Sequence, residues 1–261
     1  MKNAICAGIN DYPGTDLDLS GCVNDARDWA EALRNRGFEA RLILDSQATK
    51  VVLLREIRSL IAASVPGDWA CICYSGHGTQ VPDQSGDEPD HYDEAICPHD
   101  VTRGQLITDD ELAVEFEALQ AGVRLVVIAD SCFSGTVTRL LDPIGSRTTP
   151  RVRSIPFGRI KKKYKRPKKG PAGVGLGIGS PGVSLLMAAS GEHEYSYDAS
   201  FNNRPNGAFT RIAIDVLESL SERATFGDWQ RSIRMSLPSV DYPQRPQLVG
   251  TKAMRQWRIF D

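Results

Sequence analysis

Arg124-Leu-Val-Val-Ile-Ala-Asp130-Ser131-Cys132-Phe133-Ser134-Gly135 is the stretch on which the reading of this chain turns. Its unbroken aliphatic and β-branched run has the composition of a strand buried on both faces of a parallel sheet. The run stops at Asp-Ser-Cys, so a thiol stands where the strand leaves the sheet. Trp69-Ala-Cys-Ile-Cys-Tyr74 has the same character and runs out into Ser75-Gly76-His77-Gly78-Thr79, which puts an imidazole at a second exit. In an open parallel sheet, groups just beyond the C-terminal strand ends collect along one edge, where such folds bind their ligands. Adjacent strands lie about 4.8 Å apart, so the two exits predict one crevice holding a Cys/His dyad.

Working outward, residues 4–9 read as a first strand and 25–36 as an amphipathic helix stopped by Gly37. Residues 41–44 read as a short strand, and 49–64 as a second amphipathic helix closed by Pro66-Gly67. An acidic, loop-like stretch covers 82–100, a small strand 105–107, and Thr108-Asp-Asp-Glu111 opens a helix with capping-box spacing. A fifth core strand at 183–189 precedes helices at 207–220 and 228–236. Strands alternating with helices predict an α/β fold with a mostly parallel sheet and helices on both faces. The expected organisation is a single domain: a large part over 1–141, a flexible basic linker over 142–182 dominated by Pro, Gly, Ser, Thr and cations, and a smaller part over 183–261.

Charge is distributed unevenly. The net charge of 261 residues is only −2, yet residues 151–169 carry ten of the 31 Lys and Arg and no acid, leaving 21 basic against 33 acidic side chains elsewhere. Six cysteines lack the spacing of a disulfide framework, and several fall in apolar strands, which predicts a reducing compartment. The first apolar run is too short for a secretory signal and no later run approaches membrane-spanning length, so the expectation is a cytoplasmic chain without a membrane partner.

Thiolate attack on a carbonyl needs a cysteine near a base, donors for the oxyanion, and access. Cys132 at a strand-to-loop turn meets the last condition. His77 lies between glycines, where backbone can approach a ligand closely, and the amides of Gly78 and Cys132 supply candidate oxyanion donors. Taken singly, Cys132 also reads as a packed strand-end cysteine and His77 as a loop histidine; the pair of exits favours catalysis. His91, His99 and His193 lack that context. Cys71 and Cys73 face one side of a core strand and read as packing, since no fourth ligand accompanies them and His77.

Tyr74-Ser75-Gly76-His77-Gly78 and the Asp130 to Gly135 motif, with His77 and Cys132 separated by 55 positions, resemble the metacaspases and bacterial orthocaspases among the caspase-like cysteine peptidases. Gly21-Cys22-Val-Asn24-Asp25-Ala26 and Asn206-Gly-Ala-Phe-Thr210 are similar to two further motifs of that family. The resemblance implies a caspase-like fold with a six-stranded sheet, a monomer, and cysteine endopeptidase activity after Arg or Lys. The residues support that specificity independently. Asp25 follows the first strand and Asp130 ends the Cys132 strand, so both carboxylates reach the dyad's edge, where they suit a basic side chain and repel an acidic one. By resemblance, Cys22 and Ser75 line the same S1 pocket. The alternative is that Asp25 stabilises a helix N-terminus and Asp130 a turn.

The resemblance also implies calcium, with Asp93, Asp109 and Asp110 at three of the family's ligand positions; hard oxygen donors suit that ion. Arg139 stands where a fourth ligand is expected, and helix capping is the competing role for Asp109 and Asp110. The basic segment has two readings. As a nucleic-acid patch it has charge but only Phe157 and Tyr164 for stacking and no recognised binding fold. As the linker of a protease preferring basic residues it is the enzyme's own substrate, with Arg151, Arg153, Arg159, Lys161, Lys162, Lys163, Lys165, Arg166, Lys168 and Lys169 as candidate cut positions, which makes the chain a self-processing zymogen. The rival functions are a catalytically idle caspase-like scaffold and a nucleic-acid-binding module.

Overall fold

The computed structural model describes residues 1–83, 91–132, 151–160, 164, 183–191 and 194–261. The N-terminal elements are β1 (Lys2–Gly8), α1 (Cys22–Arg34), β2 (Glu39–Leu44), α2 (Lys50–Ala63) and β3 (Trp69–Ser75). Next come β4 (Gly78–Pro82), β5 (Tyr92–Ile96), β6 (Ile107–Thr108), α3 (Asp109–Phe116) and β7 (Arg124–Asp130). The remainder supplies β8 (Arg151–Val152), α4 (Phe157–Ile160), β9 (Ser184–Ala188), β10 (Tyr197–Phe201), β11 (Arg204–Gly207), α5 (Ala208–Ser219), α6 (Phe226–Ile233), β12 (Gln247–Val249) and α7 (Lys252–Arg255).

The central sheet has six strands in the order β12-β9-β7-β3-β1-β2. Five are parallel, and β12 closes the edge antiparallel to β9. Every residue of β3 is buried, and every residue of β7 after Arg124, because helices cover both faces. Alternate strand residues point to opposite sides. Ile5, Ile72, Leu125 and Val127 pack with Leu53, Ile57 and Ile61 of α2, whereas Cys6, Cys71, Cys73, Val126 and Ile128 pack with Trp29 of α1, Phe209 of α5 and Trp229 of α6. Each buried aliphatic side chain of this kind contributes about 1.5–3 kcal/mol against exposure.

Pairing of β3 with β7 runs in register from Trp69 opposite Arg124 to Ser75 opposite Asp130. His77 and Cys132 therefore each lie two residues past a matched pair of strand ends. Helix α1 starts at Cys22, earlier than its apolar spacing indicated, because Asn10 Oδ1 accepts from the amides of Cys22 and Val23 at 2.8 and 3.2 Å. That remote cap fixes Asp25 in the first turn. The expected capping box at Thr108 and Glu111 is present, with both reciprocal hydrogen bonds at 3.2 Å.

Two stretches read as irregular contain structure. The acidic 82–100 region includes β5, which pairs with β4 and β6 in a separate three-stranded sheet; the ladder partner outweighs a composition poor in strand formers. The basic linker includes β8, which pairs with β10 in a second small sheet, and the short helix α4. Ile155 and Ile160 are buried there, so tertiary contacts order a segment whose local composition favours solvent.

Candidate active site

Side-chain positions around the two strand exits follow from main-chain hydrogen bonds. His77 N donates to the Tyr12 hydroxyl at 2.7 Å, the Tyr74 hydroxyl donates to His77 O at 2.7 Å, and the Tyr12 ring packs 4.6 Å from the imidazole, centroid to centroid. The imidazole Nε2 lies 2.6 Å from Leu17 O. A carbonyl only accepts, so Nε2 carries the proton and Nδ1, buried without a hydrogen-bond partner, presents the basic lone pair. A main-chain carbonyl thus occupies the place a third triad residue holds elsewhere, and no side-chain motif announces it.

Cys132 is fully buried; its Sγ accepts from Ser196 N at 2.6 Å and lies 3.2 Å from Ser196 O. Burial pushes the thiol up to about 12 and the imidazole down to about 4. The covered dyad is therefore a neutral thiol and a neutral base, since a low-dielectric site disfavours both charged forms.

What covers it is the chain's own Arg153. Its carbonyl oxygen accepts from Gly78 N and Cys132 N, each at 3.1 Å, so the two expected oxyanion donors converge on one carbonyl. Its guanidinium, wholly buried, pairs with Asp25 at 2.8 Å, Asp130 at 3.2 Å and Asp198 at 2.9 Å, and donates to Ser75 Oγ at 2.8 Å. Burial opposes the cation, but these acids and neighbouring Cys22 hold it protonated far above neutrality. Of the residues expected around a basic side chain, Asp25, Ser75 and Asp130 contact Arg153, and Cys22 acts on it electrostatically.

Five further residues complete the pocket: Asn206, Gly207 and Thr210 lie in the Asn206 to Thr210 motif, to which the sequence alone gives no role, and Asp198 and Ser196 carry no sequence signal. Asp198 comes from β10, in a stretch that reads as a polar loop. Asn206 Nδ2 and Gly207 N donate to Asp25 Oδ1, each at 2.9 Å. Thr210 donates to Asp130 Oδ2 from its amide at 3.0 Å and its hydroxyl at 2.7 Å, while Ser196 Oγ donates to Asp130 Oδ1. Any Cβ on Gly207 would strike Asp130 Oδ2 and the Arg153 guanidinium, which is why the pocket wall needs glycine there. Burial and the nearby Asp130 raise Asp25 to about 6, against the pull of Arg153, Ser75 and Asn206.

Elsewhere, Asp93 and Asp109 are buried on β5 and at the start of α3. Asp109 is raised to about 8 by burial and by Glu94, Asp93 and Asp110, and its Oδ1 has no hydrogen-bond partner. The three expected calcium ligands are thus neighbours, although no cluster of three or more His, Cys, Asp or Glu is arranged to hold a metal ion among the described residues. His91 and His99 lie in loops, His99 with its Nε2 3.4 Å from Asp11 Oδ2. Arg139, His193, Lys161, Lys162, Lys163, Lys165, Arg166, Lys168 and Lys169 lie outside the described residues.

A strand-exit thiol and imidazole on a six-stranded, mostly parallel sheet, with two amides aimed at one carbonyl, define a caspase-like domain. The family model described as metacaspase, peptidase C14 domain, matches residues 2–141, and the chain belongs to that family. It is 30% identical to metacaspase-1A of Neurospora crassa over 95% of this chain and 62% of that protein. It is 39% identical to metacaspase-1A of Aspergillus clavatus over 95% of this chain and 65% of that one. The chain spans about three fifths of the length of such curated relatives. The crystal structure of protein GSU0716 from Geobacter sulfurreducens superposes with a TM-score of 0.75 at 28% identity, covering 99% of this chain and 98% of the other.

Proposed function

We propose that this chain is a cysteine endopeptidase that cuts after arginine and lysine and processes itself in the basic linker. The observation that carries the reading is Arg153: one residue places a basic side chain among three carboxylates and its carbonyl on the two amides flanking the dyad. In the reaction, His77 Nδ1 takes the Cys132 proton as Sγ bonds to the substrate carbonyl carbon, and the negative oxygen rests on the amides of Gly78 and Cys132. The same proton passes to the departing amine as the peptide bond breaks. Water then hydrolyses the thioester and restores the thiol. The Nε2 hydrogen bond to Leu17 O keeps the imidazole in the tautomer this requires.

The fate of the described cations favours self-processing over nucleic-acid binding. Arg153 is buried, Arg159 pairs with Asp16 at 2.6 Å, and Arg151 donates to Asp18 O, so these charges are engaged within the chain. All six cysteines are free and buried, which supports a reducing, cytoplasmic setting, and no helix is long and apolar enough to cross a membrane among the described residues.

Calcium activation has its own observation, the crowding of Asp109. Asp93, Asp109 and Asp110 offer the hard oxygens a Ca²⁺ ion takes, and Asp109 Oδ1 is the buried atom that lacks a partner. A cation there would neutralise the mutual repulsion of these acids. Asp93 sits on β5 opposite Val81 of β4, the strand that begins at the oxyanion donor Gly78.

The test is hydrolysis of fluorogenic peptides ending in Arg, Lys or Asp, with calcium or with chelator, by the parent and by Cys132→Ala. Cleavage of Arg and Lys reporters by the parent alone, faster in calcium, is expected. Cleavage of Asp reporters at the Arg rate, or undiminished activity in Cys132→Ala, would refute the function, and equal rates in calcium and chelator would refute activation.

A further inference from the structure

Residues 151–155 cross the site as an extended peptide held on both sides of Arg153. On the N-terminal side, β8 pairs antiparallel with β10, Val152 opposite Tyr197 and Arg151 opposite Asp198, and Arg153 N donates to Ser196 O at 3.0 Å. On the C-terminal side, Ser154 bridges Gly78 and Ile155 N donates to Gly78 O at 2.9 Å. Hydrogen-bonding of an extended chain to a strand edge, with alternate side chains in pockets, is the way peptides are read by β-addition. The second pocket is occupied by Ile155. Its side chain is fully buried in the core cluster that also contains Leu106 and Ile107. It borders a cavity of about 300 Å³ lined by Gly14, Leu17, Val101 and Ile160 among others.

Resting on the peptidase reading above, we propose that the bond cut in self-processing is Arg153–Ser154, that the cut is intramolecular, and that Ile155 marks a prime-side pocket selecting a branched aliphatic residue two places after the scissile bond. Preferred protein substrates then carry arginine, a small residue and an aliphatic residue in succession. Attack of Cys132 Sγ on the Arg153 carbonyl carbon breaks its bond to Ser154 N, which leaves with the proton from His77. Hydrolysis of the thioester yields the Arg153 carboxylate. The thiol's hydrogen bonds to Ser196 describe the resting state, and attack requires Sγ to turn from Ser196 toward the carbonyl already seated on Gly78 and Cys132.

Incubation of the parent across a wide dilution series, with intact-mass and N-terminal analysis, tests the first two parts. Fragments 1–153 and 154–261 forming at a rate independent of protein concentration are expected. Arg153→Gln should leave this bond intact. A different new N-terminus, a rate that rises with concentration, or no cut in a protein that hydrolyses Arg reporters would overturn the assignment while leaving the peptidase reading in place. Loss of reporter hydrolysis itself would strike that reading instead. For the prime-side pocket, peptides spanning Arg151 to Phe157 with Ile, Val or Asp at the Ile155 position avoid altering the protein. The Ile and Val peptides should be cut with kcat/KM about tenfold or more above the Asp peptide, as expected for burying an aliphatic side chain; equal rates would remove the pocket.

Discussion

Arg153 presents two terminal nitrogens to four acceptors, and a lysine's single ammonium cannot reach them all at once. The planar fork is matched by Asp25, Asp130 and Asp198 on different elements, so the pocket should favour arginine over lysine. Loss of one charge-assisted hydrogen bond costs about 1.5–3 kcal/mol, roughly a 10- to 100-fold effect. Asp198→Asn is accordingly expected to lower kcat/KM for Arg reporters by about that factor and to shrink the Arg-to-Lys ratio; an unchanged ratio in a folded variant would show that Asp198 takes no part in selection. The raised Asp25 adds a pH dependence. Below about 6 its carboxyl is protonated and neutral, so KM for Arg reporters should rise as pH falls through that region.

At the scale of elements, the start of α3 joins a favourable cap to an unfavourable charge. Thr108 and Glu111 secure the helix, while Asp109 beside them is held near 8 by burial and neighbouring acids. A folded-state value above the ordinary 3.8 means the native protein binds the proton more tightly than the unfolded chain. Stability should fall as pH rises from about 4 to 8 and stay low above that. Thermal melts at pH 5 and pH 8 should therefore differ in this direction through Asp109, and Asp109→Asn should flatten the difference. Added calcium should raise the pH 8 melting temperature of the parent more than that of Asp109→Asn.

Elements also mark what was legible. Strands β3 and β7 could be read directly because burial on both faces leaves an aliphatic run with little alternative, and register then follows from their equal length. Asp25, His77 and Asp130 are legible because each sits at or just beyond the end of such an element, whereas Cys22 and Ser75 enter only through the resemblance. Asp198 is not legible, because β10 is a short polar strand whose hairpin to β11 at Asn202-Asn203 places it in no site and whose other partner, β8, is distant in sequence. Leu17 was invisible for a different reason: its contribution is a carbonyl, which every residue has. The same holds for Asn10, whose side chain caps a helix twelve residues onward.

Over the whole molecule, residues on either side of the Arg153–Ser154 bond are interleaved. Strand β9 pairs along β7, β12 completes the sheet beyond it, and Phe209 and Trp229 share one core cluster with Cys71 and Cys73 of β3. The binding pocket is shared in the same way, with Asp25 and Asp130 before the bond and Asp198 after it. Scission there would sever one covalent link and leave the shared core intact. Size-exclusion chromatography of cut protein should give one peak at the mass of the uncut chain, resolving into two species only in denaturant; separate elution in native buffer would show that the core does not hold the pieces together.

That interleaving has an evolutionary corollary. If the Arg153–Ser154 bond were cut, β7 before it and β9 after it would remain paired in one sheet, so the pairing rather than the covalent link would hold the two parts together. Relatives that share the sheet would then be expected to differ more in the length and sequence of the linker than in the residues that seat Arg153.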